Sequence, residues 1–195
     1  RKSEARKFEQ TVDLIINLKK FNVKKDAVNI IVSLPHKIKD KKICAFLESN
    51  NPLINTITKQ EFGKYNDKKL IKKLAKEYEF FIAQASLMPA VATTFGRILG
   101  TAGKMPSPQL GILMDVNEKA LTHTIENINK SVKIKTKEPS IKIQIAREKM
   151  DDKEIAENIL TVYNSVLKIV PREKDNIKNV LIKFTMSKPV KIENK

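Results

Sequence analysis

Apolar and polar residues alternate near both ends of this chain, and that alternation constrains the fold more than any other feature. In residues 11–18 and again in residues 179–186, an apolar residue recurs at every second position. A period of two predicts a half-buried strand. Residues 28–34 predict another strand, which Pro35 ends. Since half-buried strands need neighbours, one economical arrangement places both ends of the chain in one sheet.

Two further strands and a helix follow in the second half of the chain. Residues 131–136 and 141–146 alternate in the same way, so they predict two strands that form a hairpin. Residues 151–169 carry apolar side chains at helical spacing, and Asp151 with Glu154 predicts a capping box at the start of that helix. The two ends of the chain therefore predict an antiparallel α+β domain.

The middle of the chain alternates short apolar runs with helical periodicity. Residues 43–47 and 80–83 predict buried strands, and residues 100–111 predict a loop. Three helices are predicted with their terminal signals: residues 66–78, residues 86–99 with Ser86 as the cap and Gly100 as the end, and residues 115–129 with a capping box at Asp115 and Glu118. Alternating strands and helices are typical of a parallel α/β sheet.

These patterns predict an α/β protein with two domains. Residues 1–37 and 131–195 form a discontinuous α+β domain, and residues 38–130 form an inserted α/β domain, with a lysine-rich linker at residues 38–42.

The chain is strongly basic. It has 38 Lys and Arg against 22 Asp and Glu, a net charge of +16, which is shared as +5, +5 and +6 among residues 1–37, 38–130 and 131–195. Such an excess on folded segments attracts polyanions, and nucleic acid explains it better than a membrane surface. A membrane-binding helix would need a bulky apolar face, often with Trp, and the sequence has no Trp.

Several classes of protein find no support in the residues. The single cysteine, Cys44, excludes an internal disulfide and fits a reducing compartment, and no apolar run approaches the ~18–20 residues of a membrane span. His36 and His123 lack the spacing of zinc ligands. The segment Gly100–Lys104 lacks two residues that a phosphate-binding loop requires, so it predicts a flexible turn that exposes Lys104. We therefore expect a soluble, intracellular protein without catalytic site, cofactor or metal.

Basic residues stand beside groups that can touch RNA at both ends of the predicted shared sheet. The segment before the first strand contains Arg6, Lys7 and Phe8. The end of the last strand contains Thr185, Met186, Ser187 and Lys188. Lysine and arginine neutralise phosphates, hydroxyls bond to phosphate or ribose, and Phe or Met offers an apolar surface to a sugar or base. Core packing is the alternative for Phe8 and Met186, and the pattern alone leaves both open.

Six blocks along the chain, in order, resemble the ribosomal protein L-one family of the large subunit, in its archaeal form. The blocks cover essentially the whole chain: residues 7–13 (KFEQTVD), 33–36 (SLPH), 82–89 (IAQASLMP), 96–106 (GRILG with GKMP), 149–152 (KMDD) and 183–189 (KFTMSKP).

The resemblance implies that a discontinuous RNA-binding domain holds an inserted Rossmann-like domain. It implies a structural, non-enzymatic role in the cytoplasm, on the mobile stalk of 23S rRNA beside the E site, with contact to departing tRNA and repression of the protein's own mRNA. Off the ribosome the chain is expected to be a monomer. By position, the RNA contacts fall on Lys7, Phe8, Thr11, Asp13, Asn179, Thr185, Met186 and Ser187, and Arg6 and Lys188 adjoin them.

The sequence differs from the family pattern at four places. Ser187 stands where the family has a glycine, which would let RNA approach the backbone without a Cβ in the way. Asp13 replaces a longer glutamate, residues 100–103 (GTAG) replace Gly-Pro-Arg-Gly, and the segment from Ile43 to Lys68 is shorter than usual.

Three functions are compatible with these observations. The first is the ribosomal role, and the second is a free regulator that binds messenger RNA without joining the ribosome. The third, an enzyme that binds a nucleotide in its α/β domain, is weakened by the incomplete phosphate-binding loop.

Overall fold

The chain divides into two compact units. A computed structural model describes residues 7–192 apart from residues 24, 27, 115 and 137. The terminal unit combines residues 1–38 with residues 130–195, and the inserted unit comprises residues 39–129. No helix in the described part of the chain is both long and apolar enough to cross a membrane.

The described residues form ten strands and four α-helices. The strands are β1 (Thr11–Leu18), β2 (Asn29–Ser33), β3 (Ile43–Leu47), β4 (Asn55–Thr58), β5 (Phe80–Gln84), β6 (Ile112–Leu113), β7 (Ser131–Lys135), β8 (Ser140–Arg147), β9 (Ile177–Phe184) and β10 (Val190–Ile192). The helices are α1 (Lys68–Glu77), α2 (Met88–Ala102), α3 (Glu118–Lys130) and α4 (Asp152–Leu167). Short 3-10 helices span Lys59–Asn66, Ala85–Leu87 and Glu173–Asn176.

One antiparallel sheet joins the two ends of the chain in the terminal unit. Its strand order is β10-β9-β1-β8, so β1 lies between β9 and β8. Every second residue of β1 is buried, and these residues pack in one core with the inner residues of β8 and of α4. The predicted strands at both ends and their shared sheet are confirmed.

The predicted hairpin of residues 131–136 and 141–146 is wrong. Both segments are strands, but β7 pairs with β2 in a separate two-stranded sheet, and β8 pairs with β1. The hydroxyl of Thr136 accepts a hydrogen bond from the amide of Val28 at 2.9 Å, which fastens the end of β7 beside β2. Alternation specifies which face of a strand is buried, but it does not specify the partner strand.

A buried asparagine fixes the segment that follows β2. Asn158 of α4 is fully buried, and its Oδ1 accepts the amide of His36 at 3.1 Å. Its Nδ2 donates to the carbonyl oxygens of His36 at 3.2 Å and Ile145 at 3.0 Å. One side chain therefore ties α4 to the chain just after Pro35 and to β8. Asp151 caps this helix, as predicted, by accepting the amide of Asp152 at 2.8 Å. The described contacts show no reciprocal bond from Glu154, whose carboxylate lies 3.6 Å from His36 Nδ1, so the predicted capping box is only half formed.

The inserted unit has a parallel sheet with helices on both faces, as the alternating pattern predicts. The strand order is β4-β3-β5-β6, and all pairs are parallel. All five residues of β3 are buried. Phe46 of β3 packs with α1 and α2 on one face, and its ring lies 4.8 Å from that of Phe95. Leu47 packs with α3 on the other face. Cys44 is buried too, and burial raises the pKa of its thiol to about 12.

Both predicted ends of α2 are wrong. A 3-10 turn precedes the helix, and the Ser86 hydroxyl donates to a Glu48 carboxylate oxygen at 2.9 Å instead of capping α2. The helix continues through Gly100 and ends at Gly103, which has a left-handed φ of 70°. Gly103 is the better terminator because its backbone takes a conformation that costs other residues energy.

The Lys104 side chain is not exposed on a flexible turn, contrary to the prediction. Its Nζ donates to the carbonyl oxygens of Ala75 at 2.7 Å and Tyr78 at 2.8 Å, at the end of α1. Helix ends leave carbonyl groups without partners, and a lysine can satisfy them. The predicted cap Asp115 lies outside the described residues, while α3 is present.

Replacement of Asn158 tests its role in the terminal unit. We expect Asn158→Leu to lower the free energy of unfolding by about 3 kcal/mol, because buried backbone groups of His36 and Ile145 lose their partner. Urea denaturation measures the change. Asn164→Leu, at an exposed position of the same helix, is the control and should change stability by less than about 0.5 kcal/mol. Equal stability of the two variants would contradict this role.

Candidate nucleic-acid interface

The antiparallel pairing of β1 and β9 brings most of the predicted contact residues to one corner of the terminal sheet. β1 begins where β9 ends, since Val12 lies opposite Phe184 in the register. Eight predicted residues belong to this corner or to the segments that adjoin it: Lys7, Phe8, Thr11, Asp13, Thr185, Met186, Ser187 and Lys188. Arg6 lies outside the described residues. We call this set the terminal corner.

Two threonines link the strands at the terminal corner. The hydroxyl oxygens of Thr11 and Thr185 lie 2.8 Å apart, and the Thr185 hydroxyl accepts the amide of Thr11 at 3.1 Å. The Thr11 hydroxyl also donates to Asp13 Oδ1 at 3.2 Å. The Thr185 hydroxyl also lies 3.4 Å from the carbonyl oxygen of Thr11, a second acceptor for its single proton. Hydrogen bonds therefore connect Thr185, Thr11 and the Asp13 carboxylate at this corner.

A tight turn after β9 presents Met186. The Ser187 hydroxyl accepts the amide of Phe184 at 2.8 Å, and the Ser187 amide donates to the Phe184 carbonyl at 3.0 Å. The amide of Met186 donates to Gln10 Oε1 at 3.3 Å, and Gln10 is buried. The Ser187 side chain and backbone thus both hydrogen-bond to Phe184 and close this turn.

Core packing of Phe8 and Met186 is excluded by their exposure. Phe8 is 53% exposed and Met186 is 62% exposed. A large apolar side chain that is exposed in the free protein can be covered when a partner binds. Phe8 and Met186 occur on the two segments that meet at the terminal corner.

The pattern of the sequence did not reveal the polar groups that support this corner. Arg147 lies opposite Thr11 and donates to Glu9 Oε2 at 2.7 Å. The backbone amide of Gln10 donates to the Glu148 carboxylate at 3.2 Å, and the backbone amide of Glu148 donates to the main-chain carbonyl oxygen of Gln10 at 3.0 Å. Gln10 Nε2 and Arg147 Nε have no acceptor among the described residues. Only the register of β1 and β8 reveals this set, because its members are distant in sequence.

Asn179 lies apart from the terminal corner, although it is on the same face of the sheet. It is opposite Asn17, and Asn17 Nδ2 donates to Asn179 Oδ1 at 2.7 Å. The Ser140 hydroxyl donates to Asn17 Oδ1 at 2.8 Å, which continues the polar row onto β8. Since Asn17 is four residues from Asp13 along β1, the two sites are about 13 Å apart.

Lysines border the face that connects these two sites. In the register Lys183 is opposite Asp13, and Lys142 is opposite Ile15. Lys7 and Lys188 are exposed at the terminal corner. The terminal unit as a whole has 25 Lys and Arg and 13 Asp and Glu, a net charge of +12. This face therefore combines positive charge with hydroxyl, amide and exposed apolar groups.

Comparison with known proteins agrees with these features. The model of the ribosomal protein L1p/L10e family matches residues 1–188. The chain belongs to this family. The match includes both segments of the terminal corner, which are distant in sequence and come together in the folded unit.

Curated relatives cover nearly the whole chain. "Large ribosomal subunit protein uL1" of Nanoarchaeum equitans is 35% identical over 98% of this chain and 95% of its own length. The protein of the same name from Thermofilum pendens is 38% identical over 96% of this chain and 85% of its own length. That from Methanothermococcus thermolithotrophicus is 35% identical over 98% of this chain and 92% of its own length. These relatives carry the name of a ribosomal protein and not of an enzyme, in agreement with the expected class.

The turn at Ser187 supports a prediction about local stability. We expect Ser187→Ala to increase amide hydrogen exchange at Phe184 about fivefold, because the amide loses its hydroxyl acceptor, worth about 1 kcal/mol. Exchange followed by NMR measures the effect. Ser187→Thr keeps the hydroxyl and should exchange at the original rate, and unchanged exchange in Ser187→Ala would exclude this function of the side chain.

Proposed function

We propose that this chain is a non-catalytic constituent of the large ribosomal subunit that binds the stalk of 23S rRNA through the terminal corner. The observation that carries the proposal is the exposure of Phe8 and Met186 beside the hydrogen-bonded Thr11, Asp13 and Thr185. Membership in a ribosomal protein family and near-complete alignment with archaeal large-subunit proteins support it. The location that follows is the cytoplasm, on the large subunit.

The groups at the terminal corner suit RNA better than other polyanions. A carboxylate repels phosphate but accepts a hydrogen bond from a ribose 2′-hydroxyl, which DNA lacks. Asp13 therefore favours RNA, and the two hydrogen-bonded threonines hold that carboxylate in place. Phe8 and Met186 pack against a sugar or an unstacked base, and Lys7 and Lys188 neutralise phosphates. Asn179 and Asn17 extend the contact along the same face.

Two finer roles belong to the same proposal. The resemblance to the family supports assistance in the release of deacylated tRNA at the E site, and repression of translation through binding of the protein's own mRNA. Repression would use the same terminal corner, because an mRNA that imitates the rRNA site presents the same groups. Addition of purified protein to a translation reaction programmed with its mRNA tests that role, since Met186→Asp should relieve repression.

Substitutions at the terminal corner test the rRNA-binding role. We expect Phe8→Ala and Met186→Asp each to weaken binding of a stalk rRNA fragment about tenfold to a hundredfold, from the loss of stacking worth about 1–3 kcal/mol. Filter binding or calorimetry measures the affinity, and circular dichroism checks the fold.

A matched control uses another exposed apolar residue. Leu160 on α4 is 58% exposed, so Leu160→Asp makes the same kind of change away from the corner and should leave the affinity unchanged. If the Phe8 and Met186 variants also bind normally, the proposed surface is wrong.

A free messenger RNA regulator is the alternative, and its binding surface would be the same. Co-sedimentation with large subunits separates the two functions: the ribosomal protein stays with the subunits after centrifugation through a salt-containing cushion, and the free regulator remains in the supernatant. Off the ribosome the chain is expected to sediment as a monomer.

A further inference from the structure

The inserted unit carries its positive charge on one helix. Residues 39–129 contain 13 Lys and Arg and nine Asp and Glu, a net charge of +4. Helix α1 alone contains five lysines and one glutamate, also a net charge of +4. The charges of the remaining residues in this unit therefore cancel.

The five lysines of α1 share one exposed face. They are Lys68, Lys69, Lys72, Lys73 and Lys76, and all are exposed. At 100° per residue they fall within an arc of about 140°. The opposite side, which includes Ile71 and Leu74, is buried in the core of the inserted unit. We call these five residues the lysine face.

The lysine face has no acidic partner among the described residues. Across the described residues, no carboxylate forms an ion pair with any of the five ammonium groups, whereas nearby Lys64 pairs with Glu61 at 3.3 Å. Like charges four residues apart destabilise a helix. Lys68 and Lys69 also lie in the first turn, which contains no acidic residue and where the helix dipole disfavours cations. A bound polyanion would remove both costs.

The helix is anchored at both ends, so the lysine face has a fixed direction. Asp67 caps the first turn by accepting the amide of Lys69 at 2.9 Å. Lys104 holds the last turn through the carbonyl oxygens of Ala75 and Tyr78. From Lys68 to Lys76 the axis rises about 12 Å, and a nucleic-acid duplex presents several phosphates over that length.

We propose that the lysine face is a second RNA-binding surface, which holds the phosphate backbone of a structured RNA without reading its sequence. Lysines are flexible point charges that neutralise phosphate but carry little geometric specificity. The surface lies in a different unit from the terminal corner, so this proposal goes beyond the proposed function. The lysine face contributes salt-dependent affinity, while the terminal corner determines which RNA is bound.

An anionic membrane is the weaker alternative for the same charges. A membrane-surface helix inserts an apolar face beside its basic one. In α1 that apolar side is already buried in the core, and Leu70, at 45% exposed, is its one large exposed apolar residue. The lysine face therefore has almost no apolar surface to insert.

The test compares two triple variants of the full chain. Lys68→Gln/Lys72→Gln/Lys76→Gln removes three charges from the lysine face. The control, Lys19→Gln/Lys168→Gln/Lys174→Gln, removes three exposed charges from the terminal unit at the end of β1 away from the terminal corner. Binding of an RNA duplex of arbitrary sequence, about 20 base pairs long, is measured from about 50 to 300 mM KCl. Circular dichroism melting confirms that both variants fold.

The expected result is a change in salt dependence for one variant only. Each neutralised phosphate contributes about 0.9 to the slope of log affinity against log salt, so the α1 variant should lose about 2 to 3 units of slope and bind about tenfold more weakly at low salt. The control should lose less than about one unit. Preference for the stalk rRNA fragment over the duplex should persist in both variants.

Two results would overturn the proposal. Equal losses in both variants would mean that net charge alone attracts the duplex. Unchanged duplex binding in the α1 variant would exclude the lysine face as an RNA-binding surface, and if the same variant loses binding to phosphatidylglycerol vesicles, α1 binds a membrane instead. A failure of the terminal corner is distinguishable, since Phe8→Ala would then leave stalk binding intact regardless of α1.

Discussion

The pairing of β1 with β9 is the interaction on which the terminal unit and its candidate interface depend. Thr11 and Thr185 are 174 residues apart in sequence, yet their hydroxyl oxygens are 2.8 Å apart. Ordering so long a loop costs entropy, which the buried face of the sheet offsets by packing against β8 and α4. The polar face of the same two strands then presents the groups proposed to contact RNA. Folding thus uses one face of this pair of strands, and the proposed binding uses the other.

The two units differ in how their positive charge is arranged and in which groups accompany it. In the terminal unit, a net charge of +12 surrounds a corner that contains a carboxylate, hydroxyls and exposed apolar groups. In the inserted unit, a net charge of +4 is concentrated on α1, whose one large exposed apolar side chain is Leu70. Charge attracts RNA from a distance and weakens with salt, whereas hydrogen bonds and apolar contacts distinguish one RNA from another. We therefore expect the terminal corner to determine the specificity for RNA.

Period-two alternation identified β1 and β9 and their buried faces, because burial of one face is a local property of the sequence. It also identified β7 and β8 as strands, but the predicted hairpin between them was wrong because β7 pairs with β2 and β8 with β1. Serine often caps helices, but Ser86 lies in a 3-10 turn before α2 and its hydroxyl donates to Glu48 instead. Most of the candidate site was predictable from its motifs and the resemblance. Gln10 and Arg147 were not, because only the strand register gives them their roles.

Specific recognition of the stalk can be measured as the affinity of the unmodified chain for a stalk rRNA fragment and for an unrelated RNA duplex across a salt series. Both affinities fall as salt rises, by about 0.7 to 0.9 in slope for each neutralised phosphate. The account predicts that the stalk fragment binds more tightly by orders of magnitude and keeps that margin at high salt, because contacts other than charge maintain it. Equal affinities for the two RNAs, both lost as salt rises, would contradict specific recognition of the stalk. The net charge of +16 would then explain the binding as a general attraction for polyanions.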